Sequence, residues 1–197
     1  MPARQPNTLN RSEHPVAHAV PASVRRIVLT GFMGAGKSTV GRLLASRLGW
    51  NFLDLDTHIE NRTGATIAEL FSHYGESHFR RLESTALASA LSRPDTVLAL
   101  GGGAPEEITN RLLIEQTPAT LAIFLDAPFP TLFDRCMLQE IARPVLADPA
   151  VAEQRFARRR PLYARLAHIT VETSSHTPQT TVESILQSLN QTPHLRR

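Results

Sequence analysis

No stretch constrains this chain more than residues 25–39, Arg-Arg-Ile-Val-Leu-Thr-Gly-Phe-Met-Gly-Ala-Gly-Lys-Ser-Thr. A short apolar, β-branched run leads into Gly31-x-x-x-x-Gly36-Lys37-Ser38, and an amphipathic run over 40–48 follows at once. Strand, glycine-rich loop and helix in that order form the context in which such a pattern cradles phosphate. Gly31, Gly34 and Gly36 admit backbone conformations and close approaches that a Cβ would block. The loop from Gly34 through Ala35, Gly36, Lys37, Ser38 and Thr39, with the positive end of the following helix, then faces an anion. Lys37 would reach the β- and γ-phosphates of a nucleoside triphosphate as a point charge, and the Ser38 hydroxyl would sit on Mg²⁺. Lys37 is also the only lysine among 21 Lys and Arg residues. A chain that uses arginine for every other positive charge keeps its one flexible ammonium where a wrapped phosphate needs it.

Composition sets the outer limits. A length of 197 residues suits one α/β domain, or a domain plus tails. No run approaches the length of a membrane span. The single Cys136 excludes an internal disulfide framework and fits a reducing, cytoplasmic setting. The net charge of +3 is clustered, with Arg155, Arg158, Arg159, Arg160 and Arg165 against Glu153. Without the interleaved aromatics of single-strand binders, this cluster reads as a site for a small anionic substrate rather than nucleic acid. The eight histidines are scattered, without metal-ligand spacing.

Taken in order, residues 1–23 carry four prolines and no apolar period, and read as a disordered leader. The folded domain is expected over 24–190, with a frayed tail over 191–197. The run over 49–56 predicts a second strand, on whose extended backbone Asp54 and Asp56 would share a face. At the carboxyl end of a parallel strand, two such acids can meet a metal ion or substrate hydroxyls. Residues 57–91 read as helix, broken near Gly64 and Gly75, with Thr66 and Glu69 spaced as a capping box. Arg80 and Glu83 are helical neighbours, which by spacing alone predicts a surface ion pair.

The third strand, 96–100, is nearly all apolar, as a buried parallel strand should be, and ends in Gly101-Gly102-Gly103. Three glycines there point to a close approach between backbone and ligand. A fourth strand follows over 119–126, then a helix punctuated by Pro128 and Pro130. Residues 137–148 break pattern around Arg143-Pro144, as a closing lid with an arginine would. A helix over 151–165, a strand over 168–172 and a helix over 179–189 complete the pattern.

These motifs, in this order, resemble the shikimate kinases of the nucleoside monophosphate kinase-like branch. The motifs are the glycine loop through Gly41, Asp54-Leu55-Asp56, Gly75-Glu76-x-x-Phe79-Arg80-x-x-Glu83, the triple glycine, Arg143-Pro144 and Arg159-x-Pro161-Leu162-Tyr163. The resemblance runs from about Arg26 to Leu189. It implies a three-layer α/β/α sandwich around a five-stranded parallel sheet of order 2-3-1-4-5. It also implies transfer of the ATP γ-phosphoryl group to the 3-hydroxyl of shikimate by a monomer. Arg80 and Arg159 would clamp the shikimate carboxylate, with Glu83 orienting Arg80. Asp56 and the backbone from Gly101 through Gly102 and Gly103 would hold the ring hydroxyls. Asp54 would act on Mg²⁺ beside Ser38, Arg143 would meet the phosphates on lid closure, and Arg135 and Pro178 would lie near the adenine.

The chain departs from the family pattern in a few places. Leu100 stands where a hydroxyl residue is common, Val145 replaces a leucine in the lid, and the lid approach is less basic. Other readings of the same residues remain open: a gluconate- or nucleotide-type kinase, a nucleotide-binding module without catalysis, or an arginine-rich helix that binds nucleic acid.

Overall fold

The apolar run before the glycine loop becomes β1 (Arg26–Thr30), whose last four residues are buried. Burial on both faces is what a central parallel strand requires. In the computed structural model, which describes residues 20–138 and 148–191, β1 is flanked by β3 (Thr96–Ala99) and β4 (Thr120–Asp126). The strands β2 (Asn51–Asp54) and β5 (Ile169–Glu172) lie at the edges. The five-stranded sheet is all parallel, in the order β2-β3-β1-β4-β5 implied by the resemblance.

Register fixes where function can gather. Leu29 stands opposite Ala99 on one side and Ile123 on the other, while Asp54 also stands opposite Ala99. The glycine loop, the end of β2 and the triple glycine therefore leave the same edge of the sheet, side by side.

Helices cover both faces: α1 (Lys37–Leu48), α2 (Leu55–Thr63), α3 (Ile67–Leu91), α4 (Ile108–Gln116), α5 (Phe129–Met137), α6 (Pro149–Leu166) and α7 (Pro178–Gln191). Alternation along β1 divides the core. Ile27 and Leu29 pack with Leu44 of α1 and Ile185 of α7, whereas Val28 packs with Leu87 of α3 and Ile114 of α4. Val20 also packs against the first of these clusters, so the described body starts inside the stretch read as leader. Residues 1–19 and 192–197, and with them most of the expected leader and tail, lie outside the described residues.

Two local features set the site's shape. The Thr66–Glu69 capping box forms in full, fixing the start of α3. Gly75 then interrupts α3 with φ 77° and ψ 168°, and so swings the Glu76–Leu91 half to its own course. One expectation is corrected: Asp54 and Asp56 do not share an extended backbone. The chain turns helical at Leu55, Asp54 caps α2 by accepting from the Thr57 amide, and Asp56 lies in the first helical turn. An aspartate is a preferred N-cap, and that local bond ends the strand early. Both carboxylates still stand at the carboxyl edge of the sheet.

Candidate active site

The glycine loop is held in positive-φ conformations that favour glycine at Gly31, Gly34 and Gly36, at φ +143°, +78° and +86°. Gly34 has a second reason to be bare, since a Cβ there would run into the Leu132 carbonyl and the Cys136 Sγ of α5. Gly36 is the N-cap of α1, with no side chain capping the helix and no acid in its first turn. The amides of Lys37, Ser38 and Thr39 thus open α1 without a side-chain cap, which suits phosphate oxygens. Ala35 is buried beneath the loop. Lys37 folds its ammonium over the loop, donating to the carbonyls of Gly31 (2.8 Å) and Phe32 (2.9 Å).

Ser38 Oγ donates to Asp54 Oδ2 at 2.5 Å, which brings two hard oxygens together beside the loop. Such a pair fits Mg²⁺, which takes one or two protein oxygens and fills its octahedron with water and phosphate. No group of three or more His, Cys, Asp or Glu side chains that could hold a metal ion occurs among the described residues.

A second cluster forms beside the first. Arg80 donates through Nη1 to Glu83 Oε2 at 2.8 Å and through Nη2 to Glu76 Oε1 at 3.0 Å. Far from being a surface pair, this one is sealed, with the Glu83 side chain only 1% exposed. Burial pushes the Glu83 carboxyl up to about 7, against the pull of Arg80 and with help from Asp56 and Glu107. Burial works against the Arg80 charge too, yet Glu83 and Glu76 hold its pKa above the ordinary value.

The triple glycine is packed against these side chains. A Cβ on Gly103 would sit 2.5 Å from Arg80 Nη2, and one on Gly101 would sit 2.6 Å from Asp56 Oδ1. Gly102 accepts from the Tyr163 hydroxyl at 2.5 Å, and burial pushes the Tyr163 phenol up, so it stays a neutral donor. Space is the requirement here, because Gly103 has an ordinary φ of −94°.

Arg159, from the middle of α6, reaches the same place. Its Nε donates to Glu106 Oε2 at 2.8 Å, and its Nη2 forms an ion pair with the same oxygen at 2.6 Å. Glu106 closes a 3₁₀ turn, Ala104–Glu106, directly after the glycines. Sequence reasoning missed it, and a Pro-Glu-Glu turn carries no periodic or motif signal that would have singled it out. Two more arginines of the basic cluster are paired internally: Arg158 meets Glu106, and Arg160 meets Asp126, each at 2.6 Å.

The remaining predicted residues lie further round the edge. Arg135 of α5 donates to the carbonyls of Thr173 (2.5 Å) and Ser174 (3.2 Å), tying itself to the loop before α7, which Pro178 opens. Of the expected lid stretch 137–148, Met137 ends α5 and Asp148 caps α6, while Arg143 and the rest, 139–147, lie outside the described residues.

Comparison with known proteins gives one consistent answer. The family model for shikimate kinase matches residues 33–190. The shikimate kinase of Psychrobacter cryohalolentis is 40% identical over 167 residues, covering 83% of this chain and 88% of that protein. The solved structure of Acinetobacter baumannii shikimate kinase in complex with shikimate superposes with a TM-score of 0.80 at 37% identity, covering 86% of this chain and 94% of that one. A gluconokinase from Sinorhizobium meliloti shares the fold alone, at 17% identity and a TM-score of 0.60. With its loop, its sheet order and its paired arginines in place, this chain belongs to the shikimate kinase family.

Proposed function

We propose that this chain transfers the γ-phosphoryl group of ATP to the 3-hydroxyl of shikimate, giving ADP and shikimate 3-phosphate for aromatic biosynthesis. The observation that carries this reading is the convergence, on one sheet edge, of the Lys37 loop with the Arg80–Glu83 pair and Arg159. An ammonium and amide cradle suits a triphosphate, and guanidinium forks suit a small carboxylate.

In this mechanism the loop from Gly34 to Thr39 holds the phosphates, and Lys37 leaves its carbonyl partners to meet the transferring group. Phosphoryl transfer asks chiefly for alignment and charge neutralisation. Arg80 and Arg159 grip the acid, Glu83 keeps Arg80 aimed, and Gly101, Gly102 and Gly103 leave room for the ring. Asp56 aligns the attacking hydroxyl and stands ready to accept its proton. Ser38 and, through water, Asp54 would hold Mg²⁺, which when bound neutralises charge on the phosphates. Arg143 adds a further charge on closure, while Arg135 and Pro178 border the adenine. We further propose that the enzyme acts as a cytoplasmic monomer; no helix among the described residues is long and apolar enough to cross a membrane.

The test is product identification after incubation with MgATP and shikimate, beside gluconate and a nucleoside monophosphate. Shikimate 3-phosphate is the expected product. ADP release with gluconate alone would overturn the assignment.

A further inference from the structure

Three carboxylates meet the proposed clamp: Glu83 and Glu76 hold Arg80 from its own helix, and Glu106 meets Arg159. Glu83 is 1% exposed and takes Nη1 of Arg80 from inside the protein. Glu106 is 19% exposed, and its Oε2 receives the Nε–Nη2 edge of Arg159 at 2.8 and 2.6 Å. That edge is one of the forks with which a guanidinium grips a ligand carboxylate. The same oxygen is 3.9 Å from Arg80 Nη2, so it stands between the two guanidiniums. The other oxygen, Oε1, is held at 2.6 Å by Arg158, whose side chain is 68% exposed.

We propose that Glu106 is an internal competitor, filling the acceptor's carboxylate position in the empty site until the incoming acid displaces it from Arg159 toward Arg158. The inference rests on the clamp role given above to Arg80 and Arg159. Guanidiniums gathered this closely need a counter-charge when no ligand is bound. Burial disfavours the Glu106 charge, but Arg159 and Arg158 hold its carboxyl below the usual range, so it serves as that counter-charge.

Displacement needs no backbone movement. The Glu106 amide stays bonded to the Gly103 carbonyl at 2.9 Å, while the side chain passes between staggered rotamers with Arg158 already in hand. The consequence is selectivity, because an empty clamp is shut to weakly bound anions and opens only to an acid that also engages the glycines and Asp56. Its cost is affinity: if Glu106 occupied Arg159 for roughly nine-tenths of the time, the acid would bind about tenfold more weakly than to an open clamp.

Calorimetric titration of the full chain with shikimate alone tests this. Glu106→Gln keeps the shape and removes the charge, so the shikimate Kd should fall by about three- to tenfold. Arg158→Ala removes the holder and should raise Kd, and in a Glu106→Gln background it should change nothing. An unchanged or raised Kd in Glu106→Gln would show that Glu106 orients Arg159 rather than competing for it, and would overturn the inference. If that variant does not fold, Arg158→Ala decides alone, with an unchanged or lowered Kd as the overturning result. Arg159→Ala separates the two levels: if it leaves shikimate binding intact, the clamp reading itself fails. If it abolishes binding while Glu106→Gln gives no gain, only the competitor fails.

Discussion

Single atoms decide much of this site, and Gly103 is the sharpest case. Its backbone angle of −94° would suit any residue, but a Cβ would sit 2.5 Å from an Arg80 guanidinium that Glu83 and Glu76 already pin. Gly103→Ala should therefore leave thermal stability nearly unchanged while raising the shikimate KM by about 10- to 100-fold, the cost of a misplaced positioning group. Equal losses in stability and KM would contradict that split. Glu83 supplies a prediction of pH dependence. Its carboxyl rises from 4.5 to about 7 in the folded protein, so across that window the folded state holds a proton the unfolded chain has lost. Stability drawn from this group is thus complete below 4.5 and is lost as pH rises through about 7. Function runs the other way, because the charged pair with Arg80 forms as Glu83 ionises. We expect kcat/KM for shikimate to climb through a one-proton step near pH 7, and Glu83→Gln to remove the step. A wild-type profile flat between about pH 6 and about pH 8 would contradict it.

At the scale of elements, the break in α3 places the clamp. Gly75 adopts φ 77° and ψ 168°, with open space where a Cβ would stand, so a side chain there meets backbone strain and no clash. Gly75→Ala should cost about 1–3 kcal/mol in urea denaturation, a typical cost for a sparsely populated backbone region. It should also weaken shikimate binding, since Glu76 and Arg80 follow directly on the kink. This kink, the capping box and the apolar strands were legible in the sequence because each is written locally, in a glycine, a Thr-x-x-Glu spacing or an apolar run, whereas the sheet order came from the family resemblance alone. The burial of the Arg80–Glu83 pair was not, since spacing gives neighbours but says nothing of depth. Nor was the helical start at Leu55 legible, where the cap formed by Asp54 overrode the strand. Glu106 was invisible for a different reason: it meets Arg159 across 53 positions, and its own turn has no pattern.

The whole molecule keeps its two tasks on separate supports along one edge. β1 and α1 carry the proposed phosphate cradle, while α3, the 3₁₀ turn and α6 carry the proposed acid clamp, with β3 joining them through the triple glycine. This division predicts that each half can be disabled alone. Lys37→Met removes the ammonium that neutralises charge in the transition state, so kcat should fall by about 10²- to 10³-fold, the loss typical of one preorganised donor. Shikimate affinity measured without nucleotide should stay unchanged, because Lys37 lies on the phosphate loop, where it donates to the Gly31 and Phe32 carbonyls. Arg159→Ala should do the reverse, weakening shikimate binding by about 2–5 kcal/mol, much of it the penalty of leaving the substrate carboxylate short of a partner in a desolvated site, while ATP affinity holds. Calorimetry on both variants with each ligand separately gives the four numbers needed. A loss of shikimate affinity in Lys37→Met, equal to that in Arg159→Ala, would mean that the supports are coupled through the glycines and that the edge works as one unit.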